Sequence, residues 1–406
     1  MTKCKYIVVL GDGMPDYKIE QLGGKTPLEA AHTPNIDSLA QKGEMGMVTT
    51  VPKGFPPGSD VANLSVMGYE PELYYTGRSP LEAVSMGVDL GEDDVAFRCN
   101  LVTLSEEEDF NQKVMVDYSA GEITSSEASQ LIEEVNQNLS DENIQFYPGI
   151  SYRHLMVWKG GAEKMELTPP HDISDRKIDP YLPRGEGGEV LARLMSRSAS
   201  FLPGHPVNQS REKNGLNPAN CLWLWGQGRK PLLKPFIEKF GLQGSVISAV
   251  DLIKGIGMCS GLRVVEVPGA TGNIHTDFAG KGRAALKELM EGRDYVYLHI
   301  EAPDEAGHQG DLETKIKAIE EIDKKVVAQI IEAADHVENL RIMVLSDHPT
   351  PLSLKTHTAE QVPFVIYDHR EHREGSSSGF HEKTAADAGM QFSSGVQLLH
   401  YFLQKN

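Results

Sequence analysis

What most constrains the fold of this chain is a set of short runs made almost wholly of Val, Ile, Leu, Phe and Tyr: Tyr6–Leu10, Tyr295–Ile300, Arg341–Leu345 and Phe364–Tyr367. A strand with one face in water alternates apolar and polar residues. A run that is apolar at nearly every position must be covered on both faces, as a strand is in the parallel sheet of an α/β protein. Helical patterning lies between the runs. One helix has Thr33 as its cap, Pro34 in its first turn and Gly43 as its stop. Others are expected near Val250–Ile256, over Gly280–Glu291, and as one long helix from about Leu312 to Val337, with further strands at Ser245–Ser248 and Arg263–Val267. Strands and helices in alternation predict an α/β fold, a mostly parallel sheet with helices on both faces.

At 406 residues the chain exceeds what one hydrophobic core holds, roughly 250–300 residues. The α/β grammar is interrupted by a segment of different texture, so a discontinuous core domain of residues 1–88 and 236–406 is expected around an inserted α+β domain of residues 89–235. Strands Ala96–Leu104, Tyr152–Trp158 and Cys221–Trp225 and a helix Ser126–Leu139 belong to the insert, together with a Pro-, Ser- and Asn-rich stretch from Arg197 to Asn220. The acidic run Ser105–Asp109 reads as a solvated face. Hinges are expected near Ser85–Gly91 and Lys230–Gly241, where Gly and Pro gather.

Charge narrows the partners. Lys and Arg number 39 against 58 Asp and Glu, a net charge of −19, which repels the phosphates of nucleic acid. The same field repels an anionic metabolite, so a phosphorylated substrate needs a local cluster of cations. No apolar run approaches the ~20 residues of a membrane span. The apolar stretch Ile7–Leu10 is too short for a signal sequence, so a cytoplasmic location is expected. Cys4, Cys99, Cys221 and Cys259 form no paired motif and read as small apolar residues.

In open α/β sheets ligands bind beyond the carboxyl ends of the strands. The first strand runs into Gly11-Asp12-Gly13, the strand ending at Ile300 into Glu301-Ala-Pro-Asp304-Glu-Ala-Gly-His308, and the strand ending at Leu345 into Ser346-Asp347-His348. His357 follows in Lys355-Thr-His-Thr358. One Asp after a strand is an ordinary turn residue. Three carboxylates and three imidazoles at one sheet edge are costly to bury without cations among them. Mixed Asp and His ligands suit Mn²⁺, Zn²⁺ or Fe²⁺ better than Ca²⁺, and two ions ~3.5–4 Å apart would use the whole set.

A second element is Pro57-Gly-Ser59-Asp-Val-Ala-Asn63, where Ser59 opens a helix. Taken alone, Ser59 reads as an N-cap; beside a metal it reads as a nucleophile. Ionising a serine at neutral pH costs on the order of 12 kcal/mol at about 1.36 kcal/mol per pKa unit. A divalent ion supplies most of that, as Zn²⁺ does in bringing water from about 15.7 to about 7.

Leu10-Gly-Asp-Gly-Met-Pro-Asp16, Gly58-Ser-Asp-Val-Ala-Asn63, Tyr75-Thr-Gly-Arg-Ser-Pro-Leu-Glu-Ala83, Ala302-Pro-Asp-Glu-Ala-Gly-His308 and Ser346-Asp-His348 together resemble the archaeal-type, cofactor-independent phosphoglycerate mutases of the alkaline phosphatase superfamily, in the same order along nearly the whole chain. The resemblance implies an alkaline-phosphatase-like core with a substrate-capping insert. It implies two divalent ions, usually Mn²⁺, with Zn²⁺, Co²⁺ or Mg²⁺ as the other candidates. It implies transfer of a phosphoryl group between the 3- and 2-hydroxyls of glycerate through a phosphoserine, with no 2,3-bisphosphoglycerate required. Carried over by motif, Asp304, His308 and His357 would hold one ion and Asp12, Asp347, His348 and Ser59 the other, with Ser59 the nucleophile and His381 a substitute for His357. His171 and Asp172 are the candidate proton relay, and Arg78, Arg153, Arg211 and Arg229 the candidate substrate-binding groups.

Three other readings compete with this one. A phosphatase or phosphodiesterase on the same core would pass the phosphoryl group to water, and a phosphopentomutase-like enzyme would share the metal ligands. A binding protein with a relic site would lack competent residues, yet every metal position here holds one.

Overall fold

The computed structural model of the chain describes residues 4–334, 336–337, 339–371 and 379–404. They form two compact units, Met1–Tyr75 with Leu232–Asn406, and Thr76–Pro231. Both divisions precede the expected 88/89 and 235/236. The first shifts because the helix Ser79–Ser85 packs on strands of the second unit, where Glu82 pairs with Arg98 at 3.3 Å.

The first unit is built on an eight-stranded sheet, in the spatial order Arg263–Val264, Gly244–Ile247, Tyr295–Ile300, Lys5–Gly11, Leu340–Leu345, Val362–Asp368, Glu44–Val48 and Met390–Phe392. All strands run parallel except Val362–Asp368, which opposes both neighbours. The fold class is therefore the α/β one expected. The three central apolar runs are buried almost throughout, and their side chains join one core with those of the flanking helices Pro34–Lys42, Phe278–Met290 and Leu312–Ile322. Register then fixes what the sheet presents. Leu10 lies level with both His299 and Leu345, so three adjacent strands end together and the residues that follow them meet at one edge.

Two expectations change in detail. The strand at Arg263 pairs only through Val264, short of Val267. The long helix expected to Val337 is Leu312–Ile322, a π-helical turn Asp323–Val327, and Ala328–Ala334. The turn places Asp323 where its carboxylate accepts from the backbone of Asn35 (3.0 Å) and Ile36 (2.7 Å) and from Asn35 Nδ2 (2.8 Å). Asp323 thus caps the helix Pro34–Lys42, and Thr33, although at the cap position, makes no side-chain cap bond.

In the second unit the long strand Val95–Leu104 lies between Arg153–Trp158 and Cys221–Arg229, with Ile144–Tyr147 beyond and Met115–Asp117 pairing at its end, every pairing antiparallel. The helix Ser125–Leu139 opens on a capping box of Thr124 and Glu127. The helix Gly188–Phe201 contributes to the same core. Within the stretch Arg197–Asn220, read from the sequence only as polar, lies a further helix, Pro206–Lys213. The acidic residues Glu106–Asp109 are exposed.

His154 sits in this unit's core. Its Nδ1 accepts from the Gly149 backbone N–H at 3.0 Å, its Nε2 has no partner, and burial pulls its pKa down from 6.5 to about 3. Between those values the unfolded chain holds a proton that the folded one refuses. The stabilisation is whole above about pH 6.5 and is lost, at up to ~1.36 kcal/mol per pH unit, as the pH falls toward 3. A His154→Asn protein keeps an acceptor for Gly149 and removes the titration. Its unfolding free energy should fall less steeply than that of wild type between about pH 6.5 and 4.5 in denaturant titrations. Equal slopes would place the acid sensitivity elsewhere.

Candidate active site

Asp12 follows the last residue of the strand Lys5–Gly11 and is 1 % exposed. The chain can turn there because Gly13 has φ 65°, and a Cβ on it would lie 2.6 Å from Thr350 Oγ1 and 2.8 Å from Asp304 Cβ. Asp12 Oδ2 is 3.0 Å from His299 Nε2. Asp12 Oδ1 has no hydrogen-bond partner among the described residues and faces His348 Nε2 at 3.6 Å. Asp347 Oδ1 accepts from the backbone of Gly13 (3.3 Å) and His348 (3.0 Å), and its Oδ2 accepts from Asn63 Nδ2 (2.9 Å). Asn63 also donates to the Ser59 carbonyl at 2.8 Å and accepts from the Tyr297 hydroxyl at 2.5 Å.

Ser59 is the first residue of the helix Ser59–Val66 and Gly58 is its cap, so the N-cap reading of the serine does not hold. Its Oγ lies 3.1 Å from His348 Nε2, which is itself 3.3 Å from Asp347 Oδ2.

Beside this group stands a second. Asp304 lies in the first turn of the helix Ala302–Gln309, and His308, four residues on, shares its face, with Nε2 3.3 Å from Asp304 Oδ2. His357 Nε2 is 3.5 Å from Asp304 Oδ1 and 2.8 Å from His308 Nε2, and its ring lies 4.0 Å from that of His348. His381 instead precedes the helix Glu382–Asp387, outside both groups of converging ligand atoms. His369 and His381 flank a histidine-rich stretch whose remaining member, His372, lies outside the described residues.

Electrostatics test whether cations fit here. Burial, with Asp347 and Asp304 nearby, pushes Asp12 well above the usual carboxylate range. Asp304 is also pushed up by burial, but hydrogen bonds from His308 and His357 outweigh this and hold it well below that range. The bond to Asp304 raises His308 to about 9, whereas burial lowers His348 and brings His299 to about 4. Two sets of ligand atoms converge within 4.8 Å of one another, Asp12 with Asp347 and His348, and Asp304 with His348 and His357. An orphaned carboxylate oxygen, three buried carboxylates and imidazole nitrogens turned toward them fit divalent ions that take mixed oxygen and nitrogen ligands.

The scaffold under these groups is itself hydrogen-bonded. Buried Lys315 donates to Asp16 Oδ2 and to the Thr350 carbonyl, each at 2.7 Å, which ties the loop after Asp12 to the loop after His348. Sequence reading missed His299, Asn63 and Thr350. His299 carried the one available signal, an imidazole near the end of an otherwise apolar strand.

The second unit carries a separate cationic and aromatic face. Glu82 binds Arg78 Nε at 2.7 Å and Arg98 Nε at 3.3 Å. Arg98, not singled out from the sequence, stacks over Trp225 at 4.6 Å, and exposed Arg153 lies over Tyr152 at 5.3 Å. His171 packs edge-on against Tyr118 and Trp225, and its Nε2 is 3.6 Å from Asp172 Oδ1, with both side chains about half exposed. Two expected substrate ligands are engaged elsewhere. Arg211 is buried, with its donors on Glu127 and on the carbonyls of Asn217 and Ala120. Arg229 braces Glu163 and the Gly161 carbonyl. Arg211 is thereby an internal brace, whereas Arg229 stays partly exposed, with Nη1 3.5 Å from Asp93 Oδ1.

The chain is similar to known proteins along nearly its whole length. The family model described as 2,3-bisphosphoglycerate-independent phosphoglycerate mutase matches residues 40–208. A Geobacter sulfurreducens protein named as a probable 2,3-bisphosphoglycerate-independent phosphoglycerate mutase is 52% identical over 401 residues, covering 99% of this chain and 100% of its own. A Methanosarcina mazei protein named as that mutase is 52% identical over 389 residues, 95% of this chain and 96% of its own. Among solved structures, a Pyrococcus horikoshii protein superposes with a TM-score of 0.82 at 28% identity, covering 100% of this chain and 99% of its own. The cofactor-independent phosphoglycerate mutase of Thermoplasma acidophilum does so with 0.69 at 25%, covering 99% of each chain. Half of all positions identical, end to end in proteins of matching extent, means that the chain belongs to the 2,3-bisphosphoglycerate-independent phosphoglycerate mutase family.

Proposed function

We propose that the protein interconverts 3-phosphoglycerate and 2-phosphoglycerate without 2,3-bisphosphoglycerate, through a phosphoserine formed on Ser59. The observation that carries this reading is the placement of Ser59 Oγ, 3.1 Å from His348 Nε2 at the edge of the buried Asp12, Asp347 and His348 group. Asp12, Asp347, His348 and Ser59 would hold one divalent ion and Asp304, His308 and His357 the other; the donor set suits Mn²⁺, Zn²⁺ or Fe²⁺, and the family resemblance puts Mn²⁺ first. Bound there, the ions would lower the pKa of the Ser59 hydroxyl and offset negative charge on the transferring phosphoryl group.

The chain's own residues supply the positioning on which phosphoryl transfer mostly depends. Asn63 bonds both the Ser59 carbonyl and Asp347, so nucleophile and ligand keep one geometry. Ser59 Oγ gives up its proton and attacks phosphorus, the bond from phosphorus to the C3 oxygen breaks, and that oxygen takes up a proton. In the second step the C2 hydroxyl gives up its proton and attacks the phosphoserine, the bond from phosphorus to Ser59 Oγ breaks, and Ser59 Oγ takes a proton back. His171 and Asp172 are the candidates to carry the hydroxyl proton. Arg78, Arg98 and Arg153 suit the phosphate and carboxylate of the substrate.

The test follows 2-phosphoglycerate through added enolase, with Mn²⁺ and without 2,3-bisphosphoglycerate, while inorganic phosphate is measured in parallel. The expected result is conversion with little phosphate release. Phosphate without 2-phosphoglycerate would replace the mutase by a hydrolase. Replacing exposed Arg153 by alanine should raise KM about tenfold, the ~1.4 kcal/mol of one charge-assisted contact, and leave the melting temperature in place. An unchanged KM would remove Arg153 from the substrate's path.

A further inference from the structure

Thr350 is fully buried, and its single hydroxyl touches both ligand groups. Oγ1 donates to Asp304 Oδ1, and it lies 3.3 Å from His348 Nδ1. We propose that Thr350 is a positioning residue that sets the tautomer of His348 and joins the two ligand groups into one unit, an inference that rests on the metal-site reading above.

Proton bookkeeping leads to this assignment. A threonine hydroxyl has one proton and two acceptor lone pairs. The proton points to a carboxylate oxygen, so the contact with His348 must use a proton from the ring, Nδ1–H to Oγ1. In a neutral imidazole the other nitrogen is then bare. That nitrogen, Nε2, faces Ser59 Oγ at 3.1 Å, Asp347 Oδ2 at 3.3 Å and Asp12 Oδ1 at 3.6 Å. The opposite tautomer would aim an N–H where an ion must be held. Because the same hydroxyl fixes Asp304, a shift of either group is felt by the other.

The fold holds Thr350 closely. Its backbone N–H donates to the Pro15 carbonyl at 3.3 Å and its carbonyl accepts from Lys315 at 2.7 Å. Two glycines leave it room. A Cβ on Gly13 would lie 2.6 Å from its Oγ1, and a Cβ on Gly307 2.6 Å from its carbonyl oxygen.

Thr350→Val keeps the shape and removes the hydroxyl, and Thr350→Ser restores the hydroxyl. Two readouts are taken on the full-length protein. Long-range proton–nitrogen NMR of histidine-labelled, chelator-treated protein at about pH 8 reads the tautomer of His348 directly. The Nδ1–H form is expected in wild type and Thr350→Ser, and a mixture or the Nε2–H form in Thr350→Val. Calorimetric titration with Mn²⁺ should show two ions in wild type and Thr350→Ser. Affinity should be about 10–100-fold weaker at both sites in Thr350→Val, the usual cost of losing a residue behind a metal ligand. A Thr350→Val protein with a lower melting temperature but an unchanged tautomer and unchanged affinities would overturn the proposal. If wild type binds no Mn²⁺, the metal-site reading fails, and the tautomer measurement still decides what Thr350 does to His348.

Discussion

Ser59→Ala should fold as the wild type does and lose mutase turnover by a factor on the order of 10⁴–10⁶, the range seen when a covalent nucleophile is deleted. The two parts of this expectation have separate causes. Folding is spared because Gly58, not Ser59, occupies the cap position, and Ser59 Oγ meets His348 Nε2. Alanine is a good helix former at the first helical position, so the change in stability should stay within about 1 kcal/mol. Turnover is lost because Ser59 Oγ is the hydroxyl set against His348 Nε2, whereas the other hydroxyl at these groups, Thr350 Oγ1, is fully buried and donates to Asp304. Initial rates at saturating substrate, with circular dichroism as the folding control, measure both parts. Activity within tenfold of wild type would take the nucleophile's role from Ser59.

Removing divalent ions has an effect of similar size. Dialysis against a chelator should abolish turnover, and returning Mn²⁺ should restore it. The ions should also stabilise the protein, since anything that binds only the native state raises its melting temperature. The pH dependence of binding has a definite sign. Without an ion, Asp12 is pushed up by burial and by the neighbouring carboxylates, and His308 is raised to about 9 by Asp304, so both favour the proton-bound form. Ion binding must displace those protons. Mn²⁺ affinity should therefore rise with pH between about 6.5 and 8.5, by up to about tenfold per unit for each proton released. Competition with a chelator of known affinity at several pH values reads this slope. A flat profile would mean that neither group holds a proton in the ion-free protein.

The gathering of the candidate ligands was legible in the sequence because they follow strands whose composition betrays them. Runs such as Tyr295–Ile300 have to be covered on both faces, and the level register of the three neighbouring strands brings Asp12, Asp304, Asp347 and His348 together. Residues whose role depends on side-chain partners far along the chain were not legible. Thr350 follows the His348 motif as an ordinary loop threonine, and only the fold sets its hydroxyl against Asp304. Asn63 lies inside a short helix, and Asp347 and Tyr297, which give it meaning, are more than 200 positions away. Arg98 was hidden in an apolar strand, because the pattern that predicts a strand does not say that a guanidinium will lie over Trp225. Arg211 and Arg229 show the converse. Both were expected as substrate-binding groups, and the structure pairs Arg211 with Glu127 and Arg229 with Glu163. The π-helical turn at Asp323 had no signal in helical periodicity, since its use is to cap another helix.

The central claim is that the phosphoryl group passes through Ser59. Protein quenched in acid during turnover of 3-phosphoglycerate with Mn²⁺, then digested and analysed by mass spectrometry, tests it most directly. The account predicts a phosphate on the peptide containing Ser59 that forms with substrate, disappears when substrate is removed, and is absent when a chelator is present. Steady conversion with Ser59 unmodified at every time point would contradict it.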